Sequence, residues 1–328
     1  MLAAILRAPQ APKIPPSPSA PLTILLAGTP GASFAGDIVA EASGLFDGAA
    51  TIAFSPAGPD FIPSVLRQNA IGATTPTSFL LAAWQGAPIT AFAASLLDTP
   101  AVIFTLASSN LRRPQDLVSR RLGYRPGNDD VLIIDAMFAQ LGLPRSQMTM
   151  VPVDNEFEAL KAGTVDAVIS EVGREPRPSE PGFVALNRIS PADYAIHVPG
   201  IVYFAPSKLV QERPSAISGA ITGLIKGWRR VYADEAASVA AITRFAPQLE
   251  HGRLAFELQQ QRTLILPVGG RIAEFDESRW RTLRDILLFA KRGDETVPLA
   301  DIVNYQYLLD IYRRNPPLRE GRGTSDLD

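Results

Sequence analysis

Short apolar runs that end in glycine, proline or threonine, each followed by a stretch of helical periodicity, fill the first two-thirds of this chain. Such alternation constrains the fold strongly. A buried run feeding a helix, repeated, is the pattern of strands in a sheet covered by helices. Leu22 to Ala27 (LTILLA) is the first run and is closed by Gly28-Thr29-Pro30-Gly31. A helix is expected from about Ser33 to Ser43. Strands are expected at Thr51 to Ser55, Ala70 to Ala73, Ile89 to Ser95 and Ala101 to Ala107. Thr75-Pro76 opens a helix, because threonine suits an N-cap and proline the first helical position.

A second unit starts near Ser108. Leu122-Gly123-Tyr124, Met148 to Val153, Val165 to Ser170 and Phe183 to Asn187 read as strands. Helices are expected after Gly127-Asn128-Asp129-Asp130, with Val131, Ile134, Phe138 and Leu141 on one face, and from Glu156 to Ala162. Ile201 to Ala205 (IVYFA) returns as a strand, and helices follow. One begins near Pro214 with Ile217, Ile221, Leu224, Trp228 and Val231 inward, and another runs from about Asp276 to Lys291. Gly219, Gly223 and Gly227 recur along the former, and close approach to a neighbour is expected to offset their cost to helix stability.

Unit one, unit two, then a helical return predicts two lobes. Residues 22–106 and 206–312 form lobe one, and 107–205 form lobe two. Two hinge crossings lie near Leu106 and Tyr203. Residues 1–21 are read as a proline-rich leader and 313–328 as a disordered tail. With 328 residues, two lobes are also the expectation from size.

Composition removes several classes of function. The formal net charge of -2 offers nothing to nucleic acid or to an anionic membrane. There is no cysteine, so disulfides, thiolate metal sites and thiol nucleophiles are excluded. His197 and His251 are the only histidines, too few for a histidine metal site. No cofactor is expected. No apolar stretch has the length of a membrane span. Met1 to Leu6 is too short for the apolar core of a signal peptide, so the compartment stays open between periplasm and cytoplasm.

Several segments resemble one family. Ser33 to Phe46 (SFAGDIVAEASGLF) looks like the first helix of the NMT1/THI5-like substrate-binding proteins. Asn110 to Tyr124 (NLRRPQDLVSRRLGY) is similar to their segment entering lobe two. Val151 to Ser170 (VPVDNEFEALKAGTVDAVIS) resembles their most distinctive element, and Asp193 to Ala205 with Lys208 to Pro214 their returning hinge strand. The resemblance implies an α/β fold of the periplasmic-binding-protein type II, two lobes with parallel-type sheets joined by a two-segment hinge. It also implies a solute receptor for an ABC importer, working in the periplasm with an inner-membrane permease and expected to be monomeric. Relatives take thiamine-precursor pyrimidines, sulfonates, nitrate or riboflavin. The chain reads Ala27-Gly28-Thr29-Pro30-Gly31 where the pyrimidine receptors carry a Trp-x-Pro-Asn-rich first loop, and it lacks the cysteines of the pyrimidine synthases.

In open parallel sheets ligands bind beyond the carboxyl ends of strands, beside helix N-termini. Four loops qualify. Gly28, Thr29 and Phe34 offer close approach and a stacking face. Thr74, Thr75, Thr77 and Ser78 offer a hydroxyl cradle, and Thr75 is equally explained as a plain N-cap. Asn128 and Asp129, with Asp130, open a helix; if they face the cleft they disfavour anions and favour a neutral or amine-bearing ligand. Glu171 ends a strand. Tyr194 and His197 precede the hinge strand. The competing expectations are an enzyme on the same fold, resembling menaquinone-pathway proteins, with Asp129, Glu171 and His197 as acid–base groups, and a ligand sensor.

Overall fold

The computed structural model describes residues 20–143, 145–266, 271–273 and 276–319. Two five-stranded sheets carry the fold. The first runs in the order β2 (Ala50–Ser55), β1 (Leu22–Ala27), β3 (Ile71–Thr74), β10 (Val202–Pro206), β4 (Ile89–Ala94). The second runs β7 (Thr149–Pro152), β6 (Arg121–Tyr124), β8 (Ala167–Glu171), β5 (Ala101–Leu106), β9 (Leu186–Ile189).

Both sheets are mixed, and in the same way. β1 lies parallel to β2 and β3, and β6 parallel to β7 and β8. The strand that has just crossed from the other lobe runs against its neighbours: β10 against β3 and β4, β5 against β8 and β9. A chain arriving from the opposite lobe enters at the cleft end of the sheet, where the resident parallel strands leave. The two lobes therefore share one topology.

This arrangement corrects the lobe boundaries expected from the sequence. Ala101–Leu106 belongs to the second sheet, and the first crossing is at 95–100 rather than near Leu106. Tyr203 sits within β10 of the first sheet, and the second crossing occupies 190–201. An apolar run alone does not say which sheet it joins. The crossings are bonded to each other: the Ser95 N–H donates to the Ile201 carbonyl (2.9 Å) and the Gly200 N–H to that of Leu96 (3.0 Å). A Cβ on Gly200 would lie 2.3 Å from Leu96 Cβ, so only glycine lets the two segments run this close.

Around the first sheet pack α1 (Ala35–Ala42), α2 (Phe61–Gln68), α3 (Pro76–Trp84) and the returning helices. The helix expected from Ser33 is divided, a 3-10 turn at Ala32–Phe34 followed by α1. α7 (Pro214–Ala233) buries Ile217, Ile221, Leu224, Trp228 and Val231, the stripe its periodicity predicts. Its glycines meet α1 and the loop after it. A Cβ on Gly227 would stand 2.1 Å from the Gly36 carbonyl oxygen, and one on Gly223 2.3 Å from the Phe46 ring. α10 (Glu277–Phe289) is capped by Asp276, which accepts from the Ser278 N–H (2.8 Å), and buries Trp280 edge-on to Phe79 of α3.

In the second lobe α4 (Asp130–Gln140) and α5 (Glu156–Lys161) flank the sheet. The tail is shorter than expected, since α12 (Gln306–Arg314) runs to Arg314 and a 3-10 turn follows at Pro316–Arg319. Arg229 of α7 donates to the Pro317 carbonyl (3.1 Å), which orders the segment. The remainder of the expected tail and residues 1–19 of the leader lie outside the described residues.

Candidate functional site

A cleft of about 1060 Å³ opens between the lobes. Its floor is the hinge pair, with Leu96, Thr99, Pro100, Pro199, Gly200 and Ile201 lining it. The walls are the carboxyl-end loops of both sheets, as the strand directions require.

From lobe one, the loop after β1 contributes Gly28, Thr29 and Phe34. Gly28 has φ 124°, a left-handed conformation that glycine adopts freely. Phe34 is only 6% exposed and packs edge-on to Phe54 (5.8 Å), so it serves the core and the wall together. The loop after β3 contributes Thr74, Thr75, Thr77 and Ser78. Thr75 caps α3, its Oγ1 accepting from the Ser78 N–H (3.2 Å) and donating to Ser78 Oγ (2.9 Å). The N-cap accounts for Thr75 without a ligand, whereas Ser78 Oγ, the acceptor in that bond, retains its own hydroxyl hydrogen to donate.

From lobe two, Asn128, Asp129 and Asp130 line the cleft at the start of α4. Asn128 folds onto Asp130, its Oδ1 accepting from the Asp130 N–H (2.9 Å) and its Nδ2 donating to Asp130 Oδ2 (2.8 Å). Burial, then the neighbouring charge of Glu171, pushes the Asp130 carboxyl up to about 7. Burial also raises Asp129, against the pull of Arg292 (3.9 Å). Glu171, at the end of β8, receives a hydrogen bond from Arg174 Nε (3.1 Å).

Tyr194 and His197 stand apart from the cleft lining. Tyr194 closes a 3-10 turn at Pro191–Tyr194 beside α4, and His197 lies farther along the 190–201 crossing. The Tyr194 carbonyl accepts from Gln140 Nε2 (3.1 Å), and His197 Nδ1 lies 3.1 Å from Asp98 Oδ2. His251 is also outside the lining and touches Thr243 Oγ1 (3.1 Å).

The structure brings in groups that the sequence did not single out. Arg125 and Glu156 pair at 2.7 Å across the start of α5. Glu156 follows the N-cap Asn155, and the strand-end logic applied to the other loops would have reached it. α9 (His251–Ile265) crosses from lobe one to lobe two and supplies Arg253, Glu257 and Gln261. Arg253 donates to the Gly173 and Glu175 carbonyls and, through Nε, to Glu257 Oε1 (3.1 Å). No local pattern marks these residues, because they come from a helix some eighty positions beyond the loop they meet.

The charge of the cleft is lopsided. Three arginines (Arg125, Arg174, Arg253) face six carboxylates (Asp129, Asp130, Asp154, Glu156, Glu171, Glu257), and each arginine is already paired with one of them. Among the described residues no cluster of three or more histidine, aspartate or glutamate side chains has the arrangement of a metal site. No helix among them is long and apolar enough to cross a membrane.

The backbone is similar to several solved structures. The periplasmic aliphatic sulphonate-binding protein SsuA of Escherichia coli superposes with a TM-score of 0.69 at 16% identity, over 89% of this chain and 100% of that one. The putative sulfonate-binding protein SsuA of Methylobacillus flagellatus KT gives 0.68 at 16% identity, over 94% and 98%. The desulfurization enzyme DszB, solved in complex with biphenyl-2-sulfinic acid, gives 0.59 at 14% identity, over 90% and 99%. These likenesses establish the periplasmic-binding-protein fold. No curated protein sequence matches the chain significantly. The NMT1/THI5-like family profile matches residues 32–238, well over half of the sequence, and the chain is therefore a member of the NMT1/THI5-like family.

Proposed function

We propose that the chain is the solute receptor of an ABC importer, closing its two lobes on one small organic molecule and presenting the closed form to an inner-membrane permease. The observation that carries this reading is the cleft itself. Loops of both sheets and both hinge crossings line one cavity of about 1060 Å³, large enough to enclose a small organic solute. Family membership and the sulfonate-binding neighbours support a solute-binding role. In this reading the ligand contacts are Gly28, Thr29, Thr74, Thr75, Thr77 and Ser78 from lobe one and Asn128, Asp129, Asp130 and Glu171 from lobe two. The receptor works as a monomer in the periplasm.

The residue types in the cleft leave its carboxylates as the groups that could take part in acid–base chemistry. The chain has no cysteine, and neither histidine lines the cavity, so no thiol nucleophile or hydroxyl–imidazole pair can form there. DszB carries catalysis on the same fold, which makes turnover the alternative to be tested.

The test is native mass spectrometry of the purified protein incubated with a polar cell extract, with thermal unfolding followed in parallel. A ligand present at 100 times its Kd stabilises the fold by about 2.7 kcal/mol. A compound bound one-to-one and recovered unchanged is the expected result. A compound recovered altered would replace the receptor with an enzyme.

A further inference from the structure

We propose that the solute is an organic cation with N–H donors, an amine, amidine or guanidine, whose charged end sits between Asp130 and Glu171. This rests on the receptor reading and adds the class of ligand.

Two independent observations converge. The first is charge: after every cleft arginine has taken its carboxylate, Asp130 and Asp154 remain with no arginine or lysine within salt-bridge distance among the described residues. Asp130 is held in place by Asn128 at the start of α4, beside Glu171. With six carboxylates against three arginines in the lining, an anion such as a sulfonate would meet a cleft of net negative charge, while a cation would relieve it.

The second is hydrogen-bonding capacity. Gln261 is 5% exposed and Ser170 2% exposed, and both line this cleft. Gln261 Oε1 and Ser170 Oγ have no hydrogen-bond partner among the described residues. Gln261 Nε2 points away, to the Val172 carbonyl (3.4 Å), so its orientation leaves the oxygen as the free end. A buried carbonyl-type oxygen without a donor is costly, and it fits a ligand that brings N–H groups. A cation that carries N–H groups satisfies the Gln261 oxygen and the charge together; an anion or an aprotic neutral ligand satisfies neither.

The experiment divides one polar cell extract by ion exchange into cation-retained, anion-retained and unretained fractions. Each is tested by thermal unfolding and native mass spectrometry against the full chain. The expected result is a one-to-one adduct and a raised Tm from the cation-retained fraction alone. Benzamidine and benzenesulfonate serve as defined probes of opposite charge on one ring, with benzamidine expected to displace the adduct and benzenesulfonate not. Asp130→Asn and Glu171→Gln should each weaken the adduct about tenfold or more while unfolding as cooperatively as the parent. A shift from the anion-retained or unretained fraction would overturn the ligand class and leave the receptor standing. No adduct from any fraction would overturn both. Unchanged affinity in both variants, at unchanged fold, would overturn the site.

Discussion

The Tyr203 hydroxyl donates a 2.8 Å hydrogen bond to Asp37 Oδ2, joining the returning strand β10 to the first turn of α1 inside lobe one. Both side chains are fully enclosed, and Asp37 Oδ1 has no further partner among the described residues. Burial pushes the Asp37 carboxyl up to about 7, with the bond from Tyr203 pulling the other way.

The sign of the resulting pH dependence follows from that shift. The folded carboxyl holds its proton at pH values where the unfolded one, at 3.8, has lost it. The contribution is therefore favourable below about pH 4 and is lost as pH rises through about 7, at a cost on the order of 4 kcal/mol. Asp37→Asn keeps an acceptor and removes the ionisation. Its stability relative to the parent should rise between pH 4 and 7.5 in urea titrations, and Tyr203→Phe should destabilise by about 1–3 kcal/mol.

Gly227→Ala should destabilise by at least about 2 kcal/mol although alanine improves helix propensity by about 1 kcal/mol. The new methyl would meet the Gly36 carbonyl oxygen at 2.1 Å and Ala40 Cβ at 2.9 Å, and backbone cannot step aside. Urea midpoints of the variant and of Gly44→Ala, where a Cβ meets nothing within 4 Å but φ is +66°, would separate steric clash from backbone strain.

Arg253 ties α9 to lobe two through the carbonyls of Gly173 and Glu175. Arg253→Ala removes charge-assisted bonds of about 2 kcal/mol each in favourable settings, so the closed form should lose population. The expected readout is a larger radius of gyration in X-ray scattering and ligand release faster by about tenfold or more.

If the bound solute is a cation, its affinity should rise with pH. Asp130 is protonated below about 7 in the free protein, so binding a cation must expel that proton. The groups facing it are Glu171 and Asp129, which raise it, and Asn128 and Arg174, which lower it. Affinity should grow through pH 6–8 and then level off. Calorimetry in two buffers of different ionisation enthalpy should show proton release that disappears in Asp130→Asn.

The sequence by itself determined the local units of this fold. LTILLA makes β1, Pro214 opens α7, the stripe from Ile217 to Val231 faces inward, and Thr75 caps α3, because each depends on periodicity or capping within a few residues. Strand-end logic also led to Gly28, Thr75, Asn128 and Glu171, all of which line the cleft. Only the tertiary structure decided which sheet receives Ala101–Leu106, where the crossings fall, and that His197 is turned to Asp98 and stays out of the cleft lining. It also decided the electrostatics. Arg253 and Gln261 reach the cleft from a helix distant in sequence, and whether an arginine is free or spent on a carboxylate is a matter of three-dimensional neighbours. Periodicity encodes burial of one face, but charge balance in a cavity is set by every element that closes around it.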